Sequence, residues 1–219
     1  MVTGTLTQIT AGIAAIGALG TAASGLVDAT KVFGGGISNV GIGRINQALR
    51  PFNDALTGAV SDWKLAIRAN WINGKPKEDQ KAAAKSLIRL GLSSKNAATM
   101  AEAGHVDATA LTAVLTAIET GAALSPDQVN LLGRFNGAID AVMDAGFEEA
   151  DQQYRNAARL LAGVFAVGLS VWGAYAIGES SNYPIAILIG LIAVPLAPVA
   201  KDLTSSLQAA VTALKSVKS

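Results

Sequence analysis

The sequence predicts an all-α membrane protein with three transmembrane helices and a helical cytoplasmic domain. Two stretches, 160–178 and 183–200, contain no charged residue, and each approaches the roughly 20 residues that a helix needs to cross a bilayer. The chain as a whole has only 15% charged residues, against about 25% in ordinary soluble domains. Backbone groups in lipid must be hydrogen-bonded within the segment. The two stretches, joined by Glu179–Asn182, therefore predict a transmembrane helical hairpin.

A third apolar stretch covers 6–27 and is also uncharged. No Lys or Arg precedes Lys31, whereas a signal peptide normally begins with a basic region. The stretch therefore predicts an N-terminal transmembrane helix. Gly17, Thr21 and Gly25 recur at four-residue spacing, which is typical of helices that approach each other closely. The spacing fits a dedicated dimer motif as well, but general helix packing is the favoured interpretation.

The distribution of basic residues predicts the topology. Every Lys and Arg lies between Lys31 and Arg159 or between Lys201 and Lys218. Basic residues concentrate in the cytoplasmic segments of membrane proteins, so residues 31–156 and the C-terminus are expected in the cytoplasm, with a bacterial inner membrane as the compartment. The N-terminus and the loop Glu179–Asn182 are then expected on the far side.

Three aromatic residues near that loop, Trp172, Tyr175 and Tyr183, match the aromatic belt found where membrane helices meet water. The predicted boundaries are a transmembrane helix at 1–30, a glycine-rich joint at 31–50, a helical cytoplasmic domain at 51–156, a transmembrane hairpin at 157–200 and an amphipathic tail at 201–219.

Helical periodicity is clear in the middle of the chain. Apolar residues recur every three or four positions over 51–72, which predicts a helix with one apolar face. Trp63 and Trp71 fall on that face, and a role in the core or at an interface is favoured over ligand binding. Capping and breaking residues predict further helices over about 76–91, 93–103 and 107–119, and one that begins at Ser125-Pro126. This last helix either breaks at Gly146 or continues into the second span.

The composition argues against several classes of function. The chain has no Cys and one His, so disulfides, thiolate metal sites and histidine-rich metal sites are excluded within one chain. We expect no cofactor, no metal and no enzymatic activity, because no convergent group of titratable residues is recognisable. Nucleic-acid binding is not expected either, since the net charge is +1 and the helix at 93–103 offers only Lys95 to a phosphate.

The order of these parts resembles a family of uncharacterised bacterial multi-pass membrane proteins. Members carry a segment like F-D-x-x-M-D-R-x-x-x-x-Y-K-R before a span, and a last span ending near G-A-P-F-W-x-D-L-L. The corresponding segments here are Phe147–Arg155 and Ala197–Leu203. Gln152 stands where the family has arginine, and the aromatic pair is absent. The resemblance covers the last third of the chain best, and it implies an architecture but no activity.

These observations favour a membrane-embedded structural, scaffold or accessory subunit that assembles by helix packing and presents a helical cytoplasmic domain. Its expected partners are membrane lipid and either further copies of itself or a larger membrane complex. The alternative is an oligomeric pore, for which Asp28, at the end of the first span, is the candidate for a ring of carboxylates.

Overall fold

The computed structural model describes residues 2–179 and 182–217, and every regular element in that part of the chain is helical. The all-α prediction is confirmed. Short 3-10 turns occur at Thr30–Val32, Gly36–Asn39 and Arg50–Phe52. The α-helices are α1 (Val2–Ala29), α2 (Ile42–Leu49), α3 (Asn53–Ala59), α4 (Trp63–Ile72), α5 (Lys77–Gly91), α6 (Ala97–Gly104), α7 (Ala108–Thr120), α8 (Pro126–Ala176) and α9 (Tyr183–Val217).

The chain divides into two compact units. Met1–Ile37 together with Arg155–Ser219 forms one, here the apolar unit, and Ser38–Tyr154 forms the other, the middle unit. Helix α8 is continuous from Pro126 to Ala176 and contributes to both. Within the described residues, three helical segments are long and apolar enough to cross a membrane: Thr7–Val32, part of Pro126–Ala176, and Tyr183–Ala200.

Helix ends in the middle unit follow the predicted capping chemistry. The Asp107 carboxylate accepts a hydrogen bond from the Ala110 N–H at 2.7 Å and so begins α7. Gly121 ends that helix in the left-handed conformation that glycine adopts without steric cost. At the start of α8, the Ser125 Oγ accepts from the Gln128 N–H, and the Gln128 side chain accepts from the Ser125 N–H. This reciprocal pair is a capping box.

Two local predictions were wrong. Residues 31–50 are not simply a joint, because Ile45 and Leu49 are fully buried and form the inner face of α2. The helix expected over 51–72 is interrupted, since α3 ends at Ala59 and Val60 is extended. Apolar periodicity survives such a break when the segments on either side of it bury their apolar faces in the same core.

Helix α8 does not break at Gly146. That residue lies against Ala48 of α2, and a methyl group at Gly146 would overlap the Ala48 Cβ. Glycine weakens a helix interior by only about 1 kcal/mol, so a helix can continue through it. The close contact with Ala48 explains why this position has no side chain. Gly41 meets a similar constraint, with φ of 97° and the Ala150 carbonyl and the Trp71 ring against its Cα.

The middle unit has a core of large apolar side chains. Its fully buried residues are large and apolar, and they come from α2, α3, α4, α5, α6, α7 and the first part of α8. They include Ile45, Leu49, Phe52, Leu56, Ile67, Ile88, Met100, Leu111, Phe135, Ile139, Met143 and Phe147.

The apolar unit is built on small residues. Ala23 of α1, Ala166 of α8 and Ala193 of α9 form its buried centre. A methyl group on Gly20 would overlap the Ala193 carbonyl, and one on Gly190 would overlap the Val167 backbone. Such contacts bring helix backbones together, as small residues do in membrane bundles.

The direction of α1 differs from the predicted topology. Gly17 of α1 lies against Ala200, whereas Gly20, three residues further along α1, lies against Ala193 and Ala197. The two helices are therefore antiparallel at this contact. Spans alternate in direction along a chain, so the first and third of three spans run the same way. The three predicted spans cannot all cross one bilayer in this arrangement.

The predicted C-terminal tail is not a separate element. Helix α9 continues past Lys201 to Val217, with Pro195 and Pro198 inside it. Residues 180 and 181 of the predicted loop, and residues 218 and 219 of the predicted tail, lie outside the described residues.

Candidate functional site

The contact between α1 and α9 uses part of the predicted small-residue stripe. Gly17 lies at this contact, but a methyl group on Gly25 would meet nothing within 4 Å. The residues facing the neighbouring helices are instead Gly17, Gly20 and Ala23, which are spaced by three. Three- and four-residue steps both follow one helix face. The sequence therefore predicted close packing of this helix, but it did not show which of its small residues make the contact.

Two hydroxyl groups on α1 are satisfied within the helix. Thr21 donates to the Gly17 carbonyl and Ser24 donates to the Gly20 carbonyl, both at 2.9 Å. A hydroxyl that bonds to the preceding turn is compatible with an apolar environment. Thr21 also lines a depression between α1 and α9, together with Ala197 and Ala200.

The predicted interfacial aromatics flank the end of α8 and the start of α9. Trp172 and Tyr175 are exposed, and Tyr183 is half-buried. Their role at a membrane surface stays a prediction.

The candidate pore residue is ion-paired. The Asp28 carboxylate accepts from the Lys31 ammonium at 2.8 Å, one helical turn further along the chain. A carboxylate beside a cation adds less to the local field than a free one. This pair gives no support to a ring of free carboxylates.

A ladder of polar contacts joins α5 to the first part of α8, and sequence reasoning missed it. Lys77, Lys81 and Lys85 pair with Glu148, Asp144 and Asp140 in turn, and Arg89 donates to the Asn136 side chain at 3.0 Å. Both sets have strict four-residue spacing, one rising and the other falling along the sequence. That pattern fits two antiparallel helices whose facing edges carry opposite charge. The matched spacing is visible in the sequence and could have predicted the contact between α5 and α8.

Lys81 is the most enclosed cation of the ladder. Its side chain is 16% exposed, and its ammonium lies 2.7 Å from Asp144 and 2.8 Å from Glu78. The hydrogen bond to Asp144, followed by that to Glu78, raises the pKa of Lys81 above its ordinary value of 10.5. The ammonium form is thereby favoured at all physiological pH values.

A second polar contact joins the segment between α5 and α6 to the end of α7. The Glu119 carboxylate accepts from the Ser94 N–H at 2.7 Å and from the Ser94 hydroxyl at 2.8 Å. These two hydrogen bonds, with the backbone donor as the larger effect, lower the pKa of Glu119 below its ordinary 4.5. Hydrogen bonds to a carboxylate favour its ionised form.

Both tryptophans of the α4 stripe are held inside the middle unit. Trp63 is buried and its indole N–H donates to the Asn53 side chain at 3.3 Å. The Trp71 N–H donates to the Ser38 carbonyl at 2.6 Å, and its ring meets Tyr154 edge to face. These contacts assign the stripe a packing role.

Among the described residues, no three His, Asp or Glu side chains are placed to hold a metal ion. No protein-family model, curated protein or solved structure matches the chain. The resemblance stated above remains an expectation from the sequence.

Proposed function

We propose that this protein is a membrane-embedded structural or accessory subunit, which assembles through helix packing and presents residues 38–154 in the cytoplasm. The observation that carries the proposal is the opposite distribution of large apolar side chains in the two units. In the middle unit most of these side chains form a buried core, and a few, such as Leu65 and Leu90, are scattered at the surface. In the apolar unit the buried centre is alanine, and large apolar residues face outwards.

That outward distribution is what a lipid environment favours. Water drives large apolar residues inwards, whereas lipid accepts them at the surface and leaves the helix contacts to small residues. The exposed large apolar residues on α8 and α9 within the apolar unit include Leu160, Val164, Trp172, Ile185, Ile187, Leu188, Leu191, Leu196 and Val199. Exposed apolar residues in this number on two helices are typical of a membrane or protein contact.

Within this proposal, the α8–α9 hairpin is the part that crosses the bilayer. Tyr183–Ala200 is the most apolar candidate, with a mean hydropathy of 2.1. The candidate segments of α1 and of α8 share a lower value of 1.6, so hydropathy does not separate these two helices. Exposure does, because among the described residues of α1 only Ile9 and Leu26 are large, apolar and exposed, whereas α8 exposes Leu160, Val164 and Trp172. A hairpin keeps both basic regions on one side, as the positive-inside rule requires, in the inner membrane that the sequence predicts.

Membrane insertion is tested by flotation of the full chain with liposomes after alkaline carbonate extraction. We expect the protein to float with the lipid. The test variant combines Leu188→Asp with Leu191→Asp, two positions of the apolar unit that are each 58% exposed. We expect it to reduce the floating fraction strongly, because a charge in the bilayer centre costs at least about 2.5 kcal/mol. Leu65→Asp with Leu90→Asp, at 61% and 72% exposed positions of the middle unit, is the matched control. Recovery of the unmodified chain in the soluble fraction would refute insertion.

Assembly is tested by the mass of the complex extracted in mild detergent. The proposed role predicts a complex larger than one 22.2 kDa chain, made of identical copies or of this chain with other subunits. A monomer under all extraction conditions contradicts it. The structural role also predicts no conductance in liposomes, so an ion leak that Asp28→Asn alters would favour the pore instead.

A further inference from the structure

A depression in the middle unit has the size and lining of a small-molecule site. Its volume is about 550 Å³, within the range of roughly 300–1,000 Å³ that is usual for ligand pockets. Apolar surface comes from Pro51, Ala103 and Val142. The polar side chains around it are Gln47, Arg50, Thr99, Glu102 and His105.

Two opposite charges line this depression without pairing. Among the described residues, neither the Arg50 guanidinium nor the Glu102 carboxylate has an ion pair or a side-chain hydrogen bond. Both side chains are exposed, so both charges face the solvent within the depression. The depression therefore offers one cation and one anion, separated by open space.

The backbone brings a histidine to the same place. His105 ends α6 with φ of 52° and ψ of 44°, and among the described residues it is the one residue other than glycine with a positive φ. At the equivalent position after α7 the chain has Gly121, the residue that adopts this conformation without steric cost. His105, the single histidine of the chain, thus occupies a position at which glycine is the usual residue. Unusual backbone conformations of this kind concentrate at ligand sites.

We infer that this depression binds a small zwitterion with an apolar part: an ammonium group on Glu102, a carboxylate or phosphate on Arg50 with His105 beside it, and the apolar part on Pro51, Ala103 and Val142. Charge-assisted hydrogen bonds are the strong ones in such sites. Free amino acids and ethanolamine phospholipid headgroups share this chemistry. The site lies in the middle unit and does not depend on membrane insertion.

The single histidine provides the measurement. The full chain, carrying a histidine-free tag and reconstituted in phosphatidylcholine nanodiscs, has one imidazole Hε1 resonance from His105. This resonance is followed while L-phenylalanine or dihexanoyl-phosphatidylethanolamine is added. N-acetyl-L-phenylalanine, which keeps the carboxylate and lacks the ammonium, is the control ligand. Arg50→Gln and Glu102→Gln are the test variants, and Arg134→Gln, outside the lining of the depression, is the control variant.

We expect a saturable shift with at least one zwitterion, and affinity at least tenfold weaker in each test variant, since one lost charge-assisted hydrogen bond corresponds to about that factor. Arg134→Gln should bind normally. A response to phenylalanine alone identifies a free small molecule, and a response to the phospholipid alone identifies a lipid headgroup. The proposal fails if neither probe gives a saturable shift by about 10 mM, where any useful affinity would be visible. It also fails if binding survives both test substitutions or if N-acetyl-phenylalanine binds equally well.

Discussion

The Lys81 ammonium on α5 lies 2.7 Å from the Asp144 carboxylate on α8 and 2.8 Å from the Glu78 carboxylate on its own helix. One cation thus joins two helices and also pairs within the first turns of α5. The Lys81 side chain is 16% exposed and the Asp144 side chain is 62% exposed, so solvent screens this pair in part. Ile88 of α5 and Met143 of α8 both belong to the buried apolar core of the middle unit.

Charge reversal at Lys81 is expected to destabilise the middle unit. Lys81→Glu places a third carboxylate beside Asp144 and Glu78, and we expect it to lower the free energy of unfolding by about 1–2 kcal/mol, between the values for exposed and buried pairs. The reciprocal substitution Asp144→Lys, made together with Lys81→Glu, should recover most of this loss. Urea unfolding followed by the fluorescence of Trp63 and Trp71, in a Trp172→Phe background, measures the effect.

The control for this prediction is Lys75→Glu, at an exposed position of the same unit, which should change stability little. If the double variant is no more stable than Lys81→Glu alone, the ladder contributes no specific pairing.

The Glu119–Ser94 contact is expected to make the stability of the middle unit sensitive to acid. The folded state lowers the pKa of Glu119, so its contribution is fully present above the ordinary value near 4.5 and disappears as the pH falls through the lower folded value. Glu119→Gln should therefore destabilise the protein at pH 7, and the difference from the unmodified protein should shrink towards pH 3. Urea unfolding at a series of pH values tests this.

Asp62→Asn is the matched control for the acid series, because the Asp62 side chain caps no backbone N–H of α4. A constant difference between Glu119→Gln and the unmodified protein from pH 3 to pH 7 would show that the carboxylate charge is not what stabilises the contact.

Local chemistry made much of the fold predictable. The helix starts at Asp107 and Ser125 and the stop at Gly121 follow from side-chain and backbone hydrogen bonding within four residues, which a sequence displays directly. The apolar segments were equally visible from composition. By contrast, a glycine can end a helix or permit a close contact, and only the packing of Gly146 on Ala48 shows which role it has here. The extended residue Val60 between α3 and α4 has no such explanation in the structure.

The candidate sites were less predictable because they depend on which helices meet. The four-residue spacing of Lys77, Lys81 and Lys85 was readable, but its meaning required the matching spacing on α8. The pairing of Gly17 with Ala200 sets the direction of α1, and rules based on charge distribution do not contain that information. The depression beside Arg50 collects residues from four separate segments.

Close packing of α1 on α9 predicts a strong asymmetry between two glycines of the same helix. Gly20→Val should destabilise the apolar unit by about 1–3 kcal/mol, as overpacking does, because the Ala193 carbonyl and the Ala197 methyl group occupy the space. Gly12→Val should be nearly neutral, since nothing lies within 4 Å of a methyl group there. Thermal unfolding in mild detergent, followed by circular dichroism at 222 nm, compares the two variants. Equal effects would mean that α1 does not pack on α9 through Gly20.

The antiparallel direction of α1 and α9 can be tested by disulfide cross-linking, because the chain has no native cysteine. Gly17→Cys combined with Ala200→Cys should form an intramolecular disulfide, since a Cβ on Gly17 would lie 3.8 Å from the Ala200 Cα, which keeps the two Cα atoms within the roughly 7 Å limit for this bond. In a parallel three-span arrangement, Gly17 would instead lie level with Ile192, near the middle of both segments. Gly17→Cys with Ile192→Cys is therefore the opposing pair. Oxidation in native membranes, read as a mobility shift on a denaturing gel, should cross-link the first pair and leave the second reduced. The reverse result would restore three spans and place the N-terminus on the far side of the membrane.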